Sequence, residues 1–308
     1  MLGTESAAGV RRLLIAVAVA LLAAGPVATT AGAQNGESPG YEDYYQHDDG
    51  AETGGESRAP RVQLTDGALY EWIVVGPVGE AAAVRAAIEA AGGRVIRDST
   101  LGALGQTTTI ATFPSEAQRE RAEAAIAQLA PGSSLSWHHL YNFAQASNPR
   151  IYAPVLIGDA APGRCRLAAP VDIGMIDGPV NTEHPALRGV NVTYETLVPR
   201  SAVPVADHGT AVAVLLVGED PSGLLAGFAR GARLHAVSVF ADREGDEEAS
   251  VERIAAAIDR LVGQGVRLIN LSLAGPENAA LGRAVTAAAA RGVVLVAASG
   301  NERRPVVA

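Results

Sequence analysis

The run Val171-Asp172-Ile173-Gly174-Met175-Ile176-Asp177-Gly178 decides how this chain folds. It is nearly continuously apolar to Ile176, as expected of a parallel strand covered on both faces, and it stops on an acid followed by glycine. Leu234–Phe240, Val266–Leu273 and Val293–Ala298 read the same way. Between them, Val251, Ile254, Ala255, Ile258, Leu261 and Val262 form one helical face, followed by Gly263 and Gly265. An Ala-rich helix from about Asn278 to Arg291 follows, and Gly292 stops it. Strand and helix therefore alternate from about residue 150 to 308. The expected fold class is α/β, a doubly wound parallel sheet, in which functional groups gather outside the carboxyl ends of the strands.

The polar residues at those ends carry the functional signal. Asp177 directly follows the first strand. His208 opens an apolar helix in Asp207-His208-Gly209-Thr210-Ala211-Val212-Ala213. Another strand ends in Asn270-Leu271-Ser272-Leu273-Ala274-Gly275, and the last in Ala298-Ser299-Gly300-Asn301-Glu302. Taken singly, each is an ordinary turn, cap or local hydrogen-bonding residue. Taken together, in this order and spacing, the stretch from Val171 to Glu302 resembles the subtilisin-like (S8) serine proteases.

That resemblance implies a serine endopeptidase acting on polypeptide substrates. It makes Asp177 the acid of a catalytic triad, His208 the general base and Asn301 the oxyanion-hole amide. It also makes Ser272, Leu273, Ala274 and Gly275 the segment lining the substrate cleft. His184-Pro185 and Leu187 match the stretch after the family's Asp, with a packing role. The chemistry suits these residue types: an imidazole can take a hydroxyl proton near neutral pH while a buried carboxylate fixes its tautomer. An amide donor at the oxyanion is worth roughly 3–4 kcal/mol. The acid-then-base order is that of subtilisins. Gly218–Ala229 matches a turn where some members bind calcium, but it has too few oxygen ligands to support a site. No cofactor is expected.

One departure stands out. The family's nucleophile lies in a Gly-Thr-Ser-Met-Ala type motif well after the oxyanion Asn, and only seven residues follow Asn301 here. Gly3-Thr4 and Gly209-Thr210 are not followed by Ser, Ser299 is too close to Asn301, and no G-x-S-x-G elbow exists. The expectation is an incomplete peptidase domain that lacks its Ser and is inactive as written. The alternative is a non-catalytic protein that binds or inhibits proteases. A nucleotide-binding reading fails because no G-x-G-x-x-G follows any expected strand.

Upstream, residues 62–145 read as a small α+β domain. Leu69–Val75 is an apolar strand; Val84, Ala87, Ile88 and Ala91 lie at helical spacing before Gly92-Gly93. Arg94–Ser99 and Gln106–Phe113 read as two further strands. Ser115 and Gln118 form a capping box opening a helix to Leu129, and Leu135–Phe143 supplies a last strand. The β-α-β-β-α-β order is that of ferredoxin-like domains. Placed before an S8-like region, it resembles the family's inhibitory propeptide, a partner for the chain's own cleft. His138 and His139, adjacent in one expected strand, point to opposite faces and read as structural or surface residues.

The N-terminus reads as a secretory signal, residues 1–33. Arg11-Arg12 precede an apolar run from Leu13 to Ala24, Gly25-Pro26 breaks it, and Ala31-Gly32-Ala33 offers a cleavage site. A run this short falls below the roughly 20 residues of a spanning helix. The expected location is secreted or periplasmic, with no membrane contact after cleavage. Residues 34–61 form an acidic linker, with seven acids against Arg58 between Asn35 and Pro60, too polar to bury a core.

Composition agrees with this division. The 308 residues are 48% hydrophobic and carry a net charge of −9, and all 24 basic residues are arginine. An acidic chain without a basic stripe argues against nucleic-acid binding. Cys165 is the single cysteine, so no intrachain disulfide exists.

Overall fold

Five parallel strands place the Asp177 loop at the centre of one sheet edge. A computed structural model of the chain describes residues 69–143, 166–221, 226–243 and 246–298. Numbering elements in chain order, the second half of the chain contributes β6 (Asp172–Asp177), β7 (Val192–Thr196), α3 (His208–Val217), β8 (Arg233–Ser238), β9 (Ala241–Arg243) and β10 (Asp246–Ser250). It continues with α4 (Val251–Gly263), β11 (Leu268–Leu271), β12 (Leu273–Ala274), α5 (Ala279–Ala289) and β13 (Val294–Ala297). The main sheet runs β13-β11-β6-β8-β7, and every neighbouring pair is parallel. Helix α3 packs on one face with Ile173, Met175, Leu234 and Ala236. Helices α4 and α5 cover the other with Ile176, Val237 and Ile269. Burial on both faces explains the unbroken apolar strands.

Three strands were not anticipated in this half. β7 is a half-exposed edge strand without an apolar run, and β9–β10 is an acidic hairpin. None carries the hydrophobic pattern that marks a strand.

The first half forms β1 (Trp72–Pro77), α1 (Ala81–Ala90), β2 (Arg94–Leu101), β3 (Gln106–Thr112), α2 (Glu116–Leu129), β4 (Ser134–Trp137) and β5 (Leu140–Phe143). Its sheet is β2-β3-β1-β4, with β1 antiparallel to β3 and β4. Alternation along β1 divides its side chains between two cores. Trp72 and Val74 pack with Val84, Ile88, Ala122 and Ile126 of the two helices. Ile73 and Val75 face the other way and join one continuous cluster with Ile254, Ile258 and Leu261 of α4 and Ala284 of α5. The sheet of the first half thus shares a dry core with the helices of the second.

Several local expectations are corrected. Leu135–Phe143 is two strands: β4 stays in the first sheet, whereas β5 leaves it and pairs with β10 and β12. The apolar alternation continues across the change of sheet, which hid the break. His138 and His139 sit at that break, and both are buried. At the start of α2, the Ser115 hydroxyl makes no bond to a backbone N–H; it donates to Oε1 of Gln118. The segments read as signal and linker, residues 1–33 and 34–61, lie outside the described residues.

Candidate active site

Asp177 ends β6 at the carboxyl edge of the sheet, and the chain returns through β7 to start α3 on His208. The two side chains meet: His208 Nδ1 donates to Asp177 Oδ1 at 2.7 Å. The N–H of Gly178 donates to the same oxygen, also at 2.7 Å. Asp177 is fully buried, and burial pushes its carboxyl above the ordinary value against the lowering effect of His208. Gly209 makes the approach feasible, since a Cβ there would lie 2.5 Å from the carbonyl oxygens of Gly178 and Pro179. Thr210 Oγ1, next along α3, accepts from the N–H of Asn181 and donates to the carbonyl of Ala206. That bond ties the helix start to the loop after Asp177.

The strand end carrying Ser272 lies across the same edge. Ser272 Oγ accepts from Asn270 Nδ2 at 2.8 Å, both buried. Leu273 and Ala274 form β12, and their partner is β5: Leu273 opposes Phe143 and Ala274 opposes Asn142. On its other side β5 pairs with β10, Tyr141 opposite Ala249. The resulting sheet, β12-β5-β10-β9, holds a strand of the first half between two strands of the second. Tyr141 is buried there; its hydroxyl donates to the carbonyl of Pro276 at 2.7 Å. Its ring fills the space over Gly275, where an added Cβ would lie 2.1 Å from Cδ1.

A polar joint flanks this strand. His138 Nδ1 donates to Glu71 Oε2 at 2.8 Å, and His138 Nε2 accepts from the backbone N–H of Glu252 in the first turn of α4. Arg97 forks between Glu71 and Glu252. Burial alone would raise the Glu71 carboxyl, but hydrogen bonds from His138 and Arg97 hold it at about 2. Asn278 caps α5 through Oδ1 while its Nδ2 reaches the carbonyl of Trp137 and the ring of His139. On the other flank, burial and then the charge of Asp242 push the carboxyl of Glu247 up, partly countered by His208, with Asp207 adding to the rise.

Of the residues singled out in the sequence, the fold brings Asp177 and His208 into contact and sets Ser272, Leu273, Ala274 and Gly275 along the strand that receives β5. His184 does more than pack, since its Nδ1 accepts from the N–H of Ala186 and caps a short helical turn. Leu187 is buried as expected. Asn301 lies outside the described residues. Gly209, Tyr141 and the Glu71–Arg97–Glu252 set were not anticipated. Glycine directly after a helix-opening His was the one sequence signal available for them. No group of acids, histidines and cysteine fit to hold a metal occurs among the described residues.

Comparison with known proteins bears on the family and fold of this part of the chain. Residues 169–307 match the model of the subtilase family. The chain is 33% identical over 139 residues to the major intracellular serine protease of Bacillus subtilis, a stretch covering 43% of each. It is 31% identical over 192 residues to subtilisin E of the same organism, covering 58% of this chain and 48% of that one. The crystal structure of fervidolysin from Fervidobacterium pennivorans, described as a keratinolytic enzyme related to subtilisin, superposes with a TM-score of 0.53 at 17% identity. That match spans 80% of this chain and 42% of fervidolysin, and it speaks to fold alone. The chain spans less than half the length of each of these relatives. Residues 169–307 are thus similar to the subtilase family of subtilisin-like S8 serine proteases.

Proposed function

We propose that this chain is the N-terminal part of a secreted serine endopeptidase precursor, with Asp177 and His208 as two members of its triad. The hydrogen bond between His208 Nδ1 and Asp177 Oδ1 carries the reading. With Nδ1 held by the carboxylate, proton transfer runs through Nε2, which would accept the proton of an attacking hydroxyl and return it to the leaving amine. The buried carboxylate stabilises the imidazolium that forms. The attacking hydroxyl would belong to a Gly-Thr-Ser motif that these 308 residues do not contain, and Asn301 supplies an amide to the oxyanion. Without the nucleophile the chain is inactive.

The first half acts as a ferredoxin-like propeptide. Its last strand, β5, occupies the antiparallel edge of β12 that an extended substrate would take, the β-augmentation mode of peptide recognition. Removal of this domain would open the cleft. Residues 1–33 direct export to the periplasm or beyond.

A fluorophosphonate probe tests the assignment. The 308-residue chain should show no labelling. Joined to a downstream segment bearing the Gly-Thr-Ser motif, it should label at that serine, and His208→Ala should abolish the reaction. Labelling that survives His208→Ala would remove His208 from the base role.

A further inference from the structure

We propose that Ser238 is a positioning residue for the Asp177–His208 pair: its hydroxyl donates to Oδ2 of Asp177 and so fixes which carboxylate oxygen faces the imidazole. Asp177 and Ser238 are direct partners in the β6–β8 ladder. Their side chains emerge on the same face, because Ile173 and Met175 on one strand, and Leu234 and Ala236 on the other, lie at even spacing from them and point into the cluster around α3. Both residues are fully buried. Asp177 Oδ1 already accepts from His208 and Gly178, whereas Asp177 Oδ2 and Ser238 Oγ are both buried without a hydrogen-bond partner.

Buried polar atoms are almost always paired, so two orphans of complementary type on facing residues call for each other. Neighbouring strands run about 4.8 Å apart, within reach of a carboxylate and a hydroxyl extending from paired positions. Rotation about the single Cα–Cβ bond of Ser238 is the movement by which its hydroxyl would reach Oδ2. A donor on Oδ2 favours the ionised carboxylate and prevents its plane from turning away from His208. The high carboxyl pKa of Asp177, caused by burial, is the condition this hydroxyl counteracts. Ser238 touches neither substrate nor the imidazole; it acts through Asp177.

The inference rests on reading Asp177–His208 as the catalytic pair, and its test needs no peptide hydrolysis. The full chain, carrying carbon-13 at aspartate carboxyls, is titrated by NMR, with the Asp177 signal assigned by its loss in Asp177→Asn. Ser238→Ala should raise the Asp177 titration midpoint by about one pH unit, and Ser238→Cys, a weaker donor, should raise it less. An unchanged midpoint in Ser238→Ala, with or without a fall in melting temperature, would leave Ser238 a packing residue and overturn the proposal. If Ser238→Ala does not fold, Ser238→Cys alone decides by the same comparison. Failure of the fluorophosphonate experiment would count against the protease reading and leave this hydrogen bond as measured.

Discussion

Gly209 and Gly178 approach so closely that the first carbon of any side chain at position 209 would press into the carbonyl of Gly178. This contact seats the start of α3 against the exit of β6, and the His208–Asp177 bond depends on it. Gly209→Ala should force the helix outward, since backbone cannot yield as a side chain tip can. Overpacking of this kind costs about 1–3 kcal/mol. The expected outcome is loss of the low-field Nδ1 proton of His208 in the NMR spectrum, with a lowered melting temperature. Retention of that proton would show that the close approach does not set the pair.

Alternation along β1 predicts two separable effects. Val74→Ala should loosen the packing of α1 and α2 on their own sheet, while Ile73→Ala should weaken the seam with α4 and α5. Each deletion costs on the order of 1–5 kcal/mol at a fully buried site. Hydrogen exchange distinguishes them: faster exchange in α4 and α5 is expected only for Ile73→Ala. Equal effects on those helices would contradict the division of the two faces.

Gly275→Ala should expel the Tyr141 ring and unseat β5 from β12. Tyr141→Phe, which keeps the ring and loses the bond to Pro276, should cost about 1 kcal/mol and leave β5 in place. The amide protection of Leu273 and Ala274 is the measurement. It should fall sharply in the first variant and little in the second.

The Glu71 carboxyl titrates at about 2 in the fold against an ordinary 4.5. A depressed carboxyl pKa contributes stability that is complete above the ordinary value and disappears as pH falls through the folded one. Native chain and Glu71→Gln should therefore differ in denaturant stability by a constant amount above pH 4.5, with the gap closing toward pH 2. A gap independent of pH would mean that Glu71 is not held as an anion by His138 and Arg97.

Much of this was legible in the sequence, for identifiable reasons. Val171–Ile176 announces itself because a strand buried on both faces is nearly all apolar, Asp172 at its partly exposed start being the one acid in the run. Asp177 and His208 stand out only as a set, because each alone passes for a turn or cap residue and the order and spacing of the strand-end polar groups carry the signal. Ser238 gives no such sign: one hydroxyl inside Leu234–Phe240 is compatible with any buried strand, and only the β6–β8 register puts it beside Asp177. The change of sheet at His138-His139 was equally silent. Both sides of the break carry apolar residues, and the signal that separates them is the tertiary partner of each strand. β7 failed for the opposite reason, since an edge strand with exposed Thr193, Tyr194 and Thr196 has too little hydrophobic pattern to register.

The position of β5 also bears on the order in which the molecule assembles. Its partners in β10 and β12 are about a hundred residues or more away in sequence, so those pairings close longer loops than any other strand pairing among the described residues. The β2-β3-β1-β4 sheet closes far shorter ones and is placed to form early. Once formed, it anchors β4, from which β5 continues, and β5 is then the strand against which the acidic β9–β10 hairpin and the two-residue β12 can nucleate. Neither of those segments has the length or hydrophobic face to hold a sheet unaided. Deleting the first half should therefore slow refolding more than it lowers the stability of the parallel sheet, a difference that refolding rates with and without it would reveal.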